Sequence, residues 1–189
     1  MITKIESIDQ KTVSFLNNFL INHSNSSVNK FFGEYLIYGL PLLLIILWFW
    51  GKNQKTALRA FFSVILAWPI LAKITGHFVH RLRPFDLGGV KELIFHRPTY
   101  SFPSDHAAAL FAVAASFWFS GNKKLSIAVG IAGLVISFFR VSTGLHFPTD
   151  ILGGIVVGIL AAYLIYLFDK PLDLIYNFLI KIAKGLRLA

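Results

Sequence analysis

Five stretches of this chain are apolar over about the thickness of a bilayer: roughly 35–50, 57–79, 106–120, 125–140 and 150–168. A helix needs about 20 such residues to cross the hydrocarbon core, and it satisfies its own N–H and C=O groups where no water can. The composition agrees with a membrane setting. The chain is 56% hydrophobic and 14% charged, with a mean hydropathy of +0.66. A soluble domain carries roughly 25% charged residues. The expected fold is an all-α integral membrane protein, a bundle of five to six transmembrane helices forming a single domain over residues 1–189. The run at 106–120 is short on its own and starts at a polar motif, so part of its length is expected to lie in protein rather than lipid.

The flanks are amphipathic. Within residues 1–34, the segment at about 7–21 carries Ile8, Val13, Phe15, Leu16, Phe19 and Leu20 with polar residues between them. It is expected to lie in the interface or to complete the bundle. The tail, 169–189, sets Leu172, Ile175, Phe178, Leu179 and Ile182 on one face and Lys181, Lys184 and Arg187 elsewhere. Met1–Asn18 mixes acids and bases and has no compact apolar core before a small-residue cleavage site, so it does not read as a signal peptide. There is no Cys, which excludes a disulfide framework, a thiol nucleophile and a zinc–cysteine site.

The net charge of +9 invites a nucleic-acid partner, but the bases sit mostly between apolar runs. That pattern belongs to membrane orientation and phosphate contact, so membrane lipids are the expected partners and nucleic acid is not. Lys52, Lys55 and Arg59 flank the first tight connection, Lys123 and Lys124 fill the second, and Lys170, Lys181, Lys184 and Arg187 lie in the tail. With five spans from residue 35 onward, all three regions fall on one side, which the positive-inside rule makes cytoplasmic. The connections 80–105 and 141–149 then open on the outer side. They also carry the ionisable residues that a membrane chain keeps only for a function.

The longer connection begins His80-Arg81-Leu82-Arg83-Pro84-Phe85 and ends Phe102-Pro103-Ser104-Asp105-His106. Ser104 suits a helix N-cap and Asp105 the positive end of a helix dipole. Capping leaves His106 unexplained, and a helix N-terminus is also an anion site. The shorter connection holds Arg140, His146 and Asp150 at spacings of six and four. A turn at Gly144 and Pro148, with Asp150 as a helix cap, does not explain Arg140 or His146. Arg suits a phosphate, His can be a nucleophile or a proton carrier, and Asp can hold the His in one tautomer. Together they point to phosphoryl chemistry at a membrane surface. His77 reads as a packing or interfacial group and His23 as solvent-facing. Arg97, beside His96 in the outer loop, is a candidate head-group contact, and Gly153, Gly154 and Gly158 read as close helix packing.

Arg83-Pro84, then Pro103-Ser104-Asp105-His106, then Arg140, His146 and Asp150 resemble the three-part motif of the type-2 phosphatidic acid phosphatase superfamily. Its members are integral membrane lipid phosphatases that share a helical core with vanadium haloperoxidases. The resemblance covers about 57–168, the implied catalytic core. Asp105, where most relatives have Gly, is similar to the bacterial undecaprenyl-diphosphate phosphatases of the bacitracin-resistance type. So are the Arg-Pro-Phe and the Ser101-Phe102 ahead of the second motif. The resemblance implies hydrolysis of a polyprenyl diphosphate at a bacterial plasma membrane, with a site facing the outer side and no metal or other cofactor. It implies His146 as nucleophile forming a phosphohistidine, Asp150 holding the His146 ring, and His106 protonating the leaving oxygen and then activating water. Arg83, Arg140, Ser104 and the amides near Asp105 would hold the phosphoryl oxygens, with Arg81 adding positive charge. A carboxylate beside a phosphate needs a base, so Arg81 or Arg97 is expected to pair with Asp105. The alternatives are a phosphatidylglycerophosphate or phosphatidate phosphatase, and a non-enzymatic lipid-binding protein on the same core.

Two positions depart from the family pattern. The Lys that often stands seven residues before Arg83 is Gly76 here, with Lys73 one helical turn earlier. The Ser that often precedes Arg140 is Phe139, and Ser142 or Thr143 is expected to supply the missing hydroxyl.

Overall fold

Helices hold most of the residues that the computed structural model describes, 4–49, 54–95 and 99–188. The expectations for Lys52, His96 and Arg97 fall outside that range. In chain order, α1 (Lys4–His23) precedes α2 (Ser26–Lys30) and α3 (Gly39–Phe49), which run together as one stretch, Ser26–Phe49. Next come α4 (Gln54–Ile65) and α5 (Lys73–Val79). Between these two, Leu66–Ala72 widens to π geometry around Pro69, which lacks an N–H and crowds the carbonyl one turn back. The long connection then leads to α6 (Asp105–Phe119), α7 (Lys123–Ser142), α8 (Pro148–Leu167) and α9 (Asp169–Gly185).

Among the described residues, four helical stretches are long and apolar enough to span a membrane: Ser26–Phe49, Gln54–Leu87, Lys123–Ser142 and Pro148–Leu167. At 1.5 Å per residue, α6 is only about 22 Å long, short of the roughly 30 Å hydrocarbon core. It is shielded by protein instead. Helices α4, α7 and α8 pack around it, and Ala107, Ala108, Leu110, Ala112, Val113 and Phe117 are buried. The close face of α8 carries Gly154 and Gly158, set against the main chain of Ser104 and Ala108. In lipid such steric fit, rather than the hydrophobic effect, holds helices together. The fold is the expected all-α membrane bundle, with large apolar side chains such as Leu42, Ile131, Leu134, Leu152 and Val156 exposed on its outside.

The N-terminal helix completes the bundle, packing on α7 and α8, but only part of its apolar set turns inward. Phe15 is 72% exposed, and Ile8 and Phe19 are exposed too, while Asp9, Val13, Asn17 and Leu20 point inward. The mixed inner face follows from the solvent. A polar side chain in a membrane protein is cheapest against other polar groups inside the bundle, and an aromatic one is at ease in lipid. Asn17 donates to the carbonyls of Lys91 and Ser142 and accepts from the Lys91 N–H, tying the two functional connections together.

At the other end, α9 is pinned to α4. Lys55 meets Asp173 at 2.9 Å, and Arg59 meets Asp169 in a bidentate pair at 2.6 and 2.7 Å. Phe119 stacks on Tyr166, bringing the ends of α6 and α8 to the same place. The basic connections and the motif residues therefore occupy opposite ends of the bundle.

Candidate active site

The turn between α7 and α8 presents His146. The carbonyl of Arg140 accepts from the N–H groups of Leu145 and His146 at 3.1 and 3.3 Å, folding the chain back at Gly144. Gly144 has φ of +83°, and a Cβ there would stand 2.7 Å from the Lys91 carbonyl oxygen, so only glycine fits. Helix α8 then starts at Pro148. The Asp150 carboxylate accepts from the Phe147 N–H at 2.7 Å, satisfying one free donor of the helix start.

His146 is 2% exposed. Its Nδ1 lies 2.8 Å from the Ser101 carbonyl oxygen, which can only accept, so Nδ1 carries the proton. Nε2 then holds a lone pair, to which the Arg83 Nη1 donates at 3.4 Å. Asp150 also approaches Nδ1, from farther away than the Ser101 carbonyl. Asp150 stands 3.7 Å from Nδ1, while its oxygens accept from Arg81, from the Phe147 N–H and from the Ser101 hydroxyl. Asp150 thus supplies negative charge beside the ring, and the Ser101 main chain fixes the tautomer. Burial pushes the His146 imidazole down from its ordinary value to about 4; Asp150 pulls it up, and Arg83 and Arg140 push it further down.

Arg83 is 3% exposed and tightly held. It donates to the carbonyls of Thr99, Tyr100 and Leu145 and to the Thr99 hydroxyl, at 2.7 to 3.1 Å. Arg140 is also buried, at the end of α7, and reaches the Gly33 carbonyl at 3.2 Å. Two guanidinium groups are therefore fixed within the same buried region as His146. Ser104 stands at the N-cap position of α6, but its hydroxyl does not cap the helix. That oxygen is buried and has no hydrogen-bond partner among the described residues, as suits a group that meets a ligand. His106 sits in the first turn of α6, partly buried.

Arg81 lies close by but is otherwise engaged: it bonds Asp150 and Thr149, each at 2.6 Å, and Asp9 at 2.7 Å. Among the described residues, the base that meets Asp105 is Lys73, at 3.2 Å. A Cβ at Gly76 would come within 3.0 Å of the Phe102 carbonyl oxygen, so a larger residue there would be tightly fitted. Neither Ser142 nor Thr143 replaces the hydroxyl lost at Phe139. Both are buried and bond back to the carbonyls of Phe138 and Phe139 at 2.8 and 2.7 Å. Phe139 itself stacks on Phe32.

Beside this cluster opens a cavity of about 650 Å³. Lys73, His77, Arg81 and Arg83 make its walls basic, with Asp86 and Asp105 interspersed, while Leu82, Phe85, Phe102 and Pro103 are apolar. His77 lines this cavity instead of packing between helices. Arg83 joins the cavity to His146, since it lines the one and touches the other. Such a cleft suits an amphiphile with an anionic head.

Residues 56–172 match the family model described as the PAP2 superfamily. The chain belongs to the PAP2 superfamily. It is 32% identical to the undecaprenyl-diphosphatase BcrC of Bacillus subtilis over 171 residues, 88% of each chain. Phosphatidylglycerophosphatase B of the same organism is also 32% identical, over 146 residues, 70% of this chain and 68% of that one. The crystal structure of Aquifex aeolicus LpxE has the same fold, with a TM-score of 0.66 at 21% identity, covering 87% of this chain and 98% of that one. This PAP2 protein is thus a multi-pass membrane hydrolase of the lipid phosphatase class.

The structure brings together His146, Asp150, Arg83, Arg140 and Ser104, which the sequence motifs single out, and sets Ser101, Thr99, Thr149 and Asp9, which they do not assign a role, around them. Ser101 and Thr99 act partly through main-chain carbonyls, which no side-chain pattern reports.

Proposed function

We propose that this PAP2 phosphatase hydrolyses undecaprenyl diphosphate to undecaprenyl phosphate and inorganic phosphate, from the outer side of a bacterial plasma membrane. The observation that carries the mechanism is the contact of His146 Nδ1 with the Ser101 carbonyl: with the proton held there, Nε2 keeps the lone pair that attacks phosphorus. Nε2 forms a bond to the terminal phosphorus while the bond from phosphorus to the bridging oxygen breaks. His106 gives that oxygen its proton. It then takes a proton from water, which attacks phosphorus and breaks the P–N bond, releasing phosphate and restoring His146. Asp150 stabilises the positive ring from 3.7 Å. Arg83, Arg140, the Ser104 hydroxyl and the first amides of α6 hold the phosphoryl oxygens. Fixed positive charge in a buried site does the electrostatic work, so the reaction needs no metal.

The name of BcrC supports the prenyl diphosphate as substrate, and the amphiphilic cavity fits it. The similarity to phosphatidylglycerophosphatase B favours a second reading, a glycerolipid monophosphate on the same residues. Phosphate release by the detergent-purified protein, with chelator present, separates them. Release from undecaprenyl or farnesyl diphosphate well above that from phosphatidylglycerophosphate and phosphatidate is expected. The reverse order moves the assignment to the second reading, and no release from any of them ends both.

A further inference from the structure

The N-terminal helix lies before the segment matched by the family model, yet one of its residues reaches the site. Asp9 is 2% exposed and forms part of a bridge of two carboxylates about one guanidinium. Arg81 donates through Nη2 to Asp9 at 2.7 Å and through Nη1 to Asp150 at 2.6 Å. Asp9 also accepts from the Thr149 N–H at 3.2 Å and from the Thr149 hydroxyl, next in sequence to Asp150. The Arg81 guanidinium lies 4.1 Å over the Phe147 ring, whose residue donates its N–H to Asp150. A carboxylate this deeply buried is tolerable only with its partners in place. Arg81 in turn borders the substrate cavity. Without Asp9, the Nη2 side of that guanidinium loses its carboxylate partner.

We propose that Asp9 is a positioning residue for catalysis: it reserves Arg81 for Asp150 and fixes the start of α8, so that Asp150 stays aimed at His146. The inference rests on the reading of His146 and Asp150 as the catalytic pair. It makes α1 part of the catalytic apparatus and predicts an effect on turnover, with substrate binding spared.

The test is a double-mutant cycle between Asp9→Asn and Arg81→Gln in the full-length protein. It is run in detergent on whichever lipid phosphate the wild type turns over best. Asp9→Asn should lower kcat by about 10- to 100-fold, the scale seen when a group that orients a reacting residue is lost. KM should change less than about threefold. Because both residues act through one chain of contacts, the double variant should be no more than about twofold slower than Arg81→Gln alone. Wild-type kcat in folded Asp9→Asn overturns the proposal, as does an equal slowing of wild type and Arg81→Gln. If Asp9→Asn does not purify as folded protein, Thr149→Val takes its place in the cycle, with the same coupling expected and the same additivity fatal. Activity surviving in His146→Ala, measured alongside, would instead sink the catalytic assignment on which the inference rests.

Discussion

At the motif end of the bundle, Arg83 is 3% exposed and its guanidinium meets Thr99, Tyr100, Leu145 and His146. At the basic end, the Arg59 side chain keeps 27% of its surface exposed and pairs with Asp169. The residue type is the same, and the physics is different. A half-exposed pair in high dielectric contributes little, because water and salt screen it and two long side chains lose freedom. A buried cation whose hydrogen bonds go to neutral groups still favours an incoming anion, even with Asp86, Glu92, Asp105 and Asp150 offsetting part of the Arg83 charge. The basic end uses charge as a fastener; the motif end has its own fasteners, Arg81 with Asp9 and Asp150, and beside them keeps Arg83 bonded to neutral groups.

That contrast can be broken most directly at His146. His146→Ala should lower kcat by at least about 10⁴-fold with the fold intact, the scale of losing a covalent nucleophile. Circular dichroism and size exclusion report the fold, and phosphate release reports the rate. Ser104→Ala comes next. Its buried hydroxyl lacks a described partner, so its loss should cost the structure little and the reaction about 10- to 100-fold in kcat/KM, as for other preorganised donors. A large loss of stability with unchanged kcat/KM would make Ser104 a packing residue.

Acid should separate the two ends as well. His146 binds a proton only near pH 4 when folded, against 6.5 in the unfolded chain. Between those values the unfolded state holds the extra proton. The stability that the folded state derives from keeping this ring neutral is therefore complete above about 6.5 and is lost as pH falls toward 4. Relative to His146→Gln, the wild type should lose up to about 3 kcal/mol of stability across that window. Equal losses in the two proteins would mean that the ring is not buried neutral.

The smallest effect is expected at the basic end. Arg59→Gln should leave kcat within about twofold and lower stability by no more than about 1 kcal/mol. A catalytic defect there would remove the distinction between the ends.

Much of this was legible in the sequence, for a physical reason. Long apolar runs dictate helices in lipid, and ionisable residues at their mouths stand out against them. The face of α1 was not legible. Asp9 and Asn17 look like the outer, wet side of an amphipathic helix, yet they point inward and bind the connections around residues 91, 142 and 149. Their partners lie 72 to 140 residues away, beyond any local pattern. The role of Ser101 was equally hidden, because its carbonyl orients His146 while its hydroxyl braces Asp150.

The central claim is that His146 Nε2 carries the phosphoryl group. Rapid-quench mixing with substrate labelled in its terminal phosphate tests it directly, followed by peptide mapping under basic conditions that preserve phosphoramidates. The account predicts an acid-labile, base-stable label on the peptide containing His146, formed before the second phosphate product appears and absent in His146→Ala. Full turnover with no label on the protein at any time, or a label elsewhere, would contradict it.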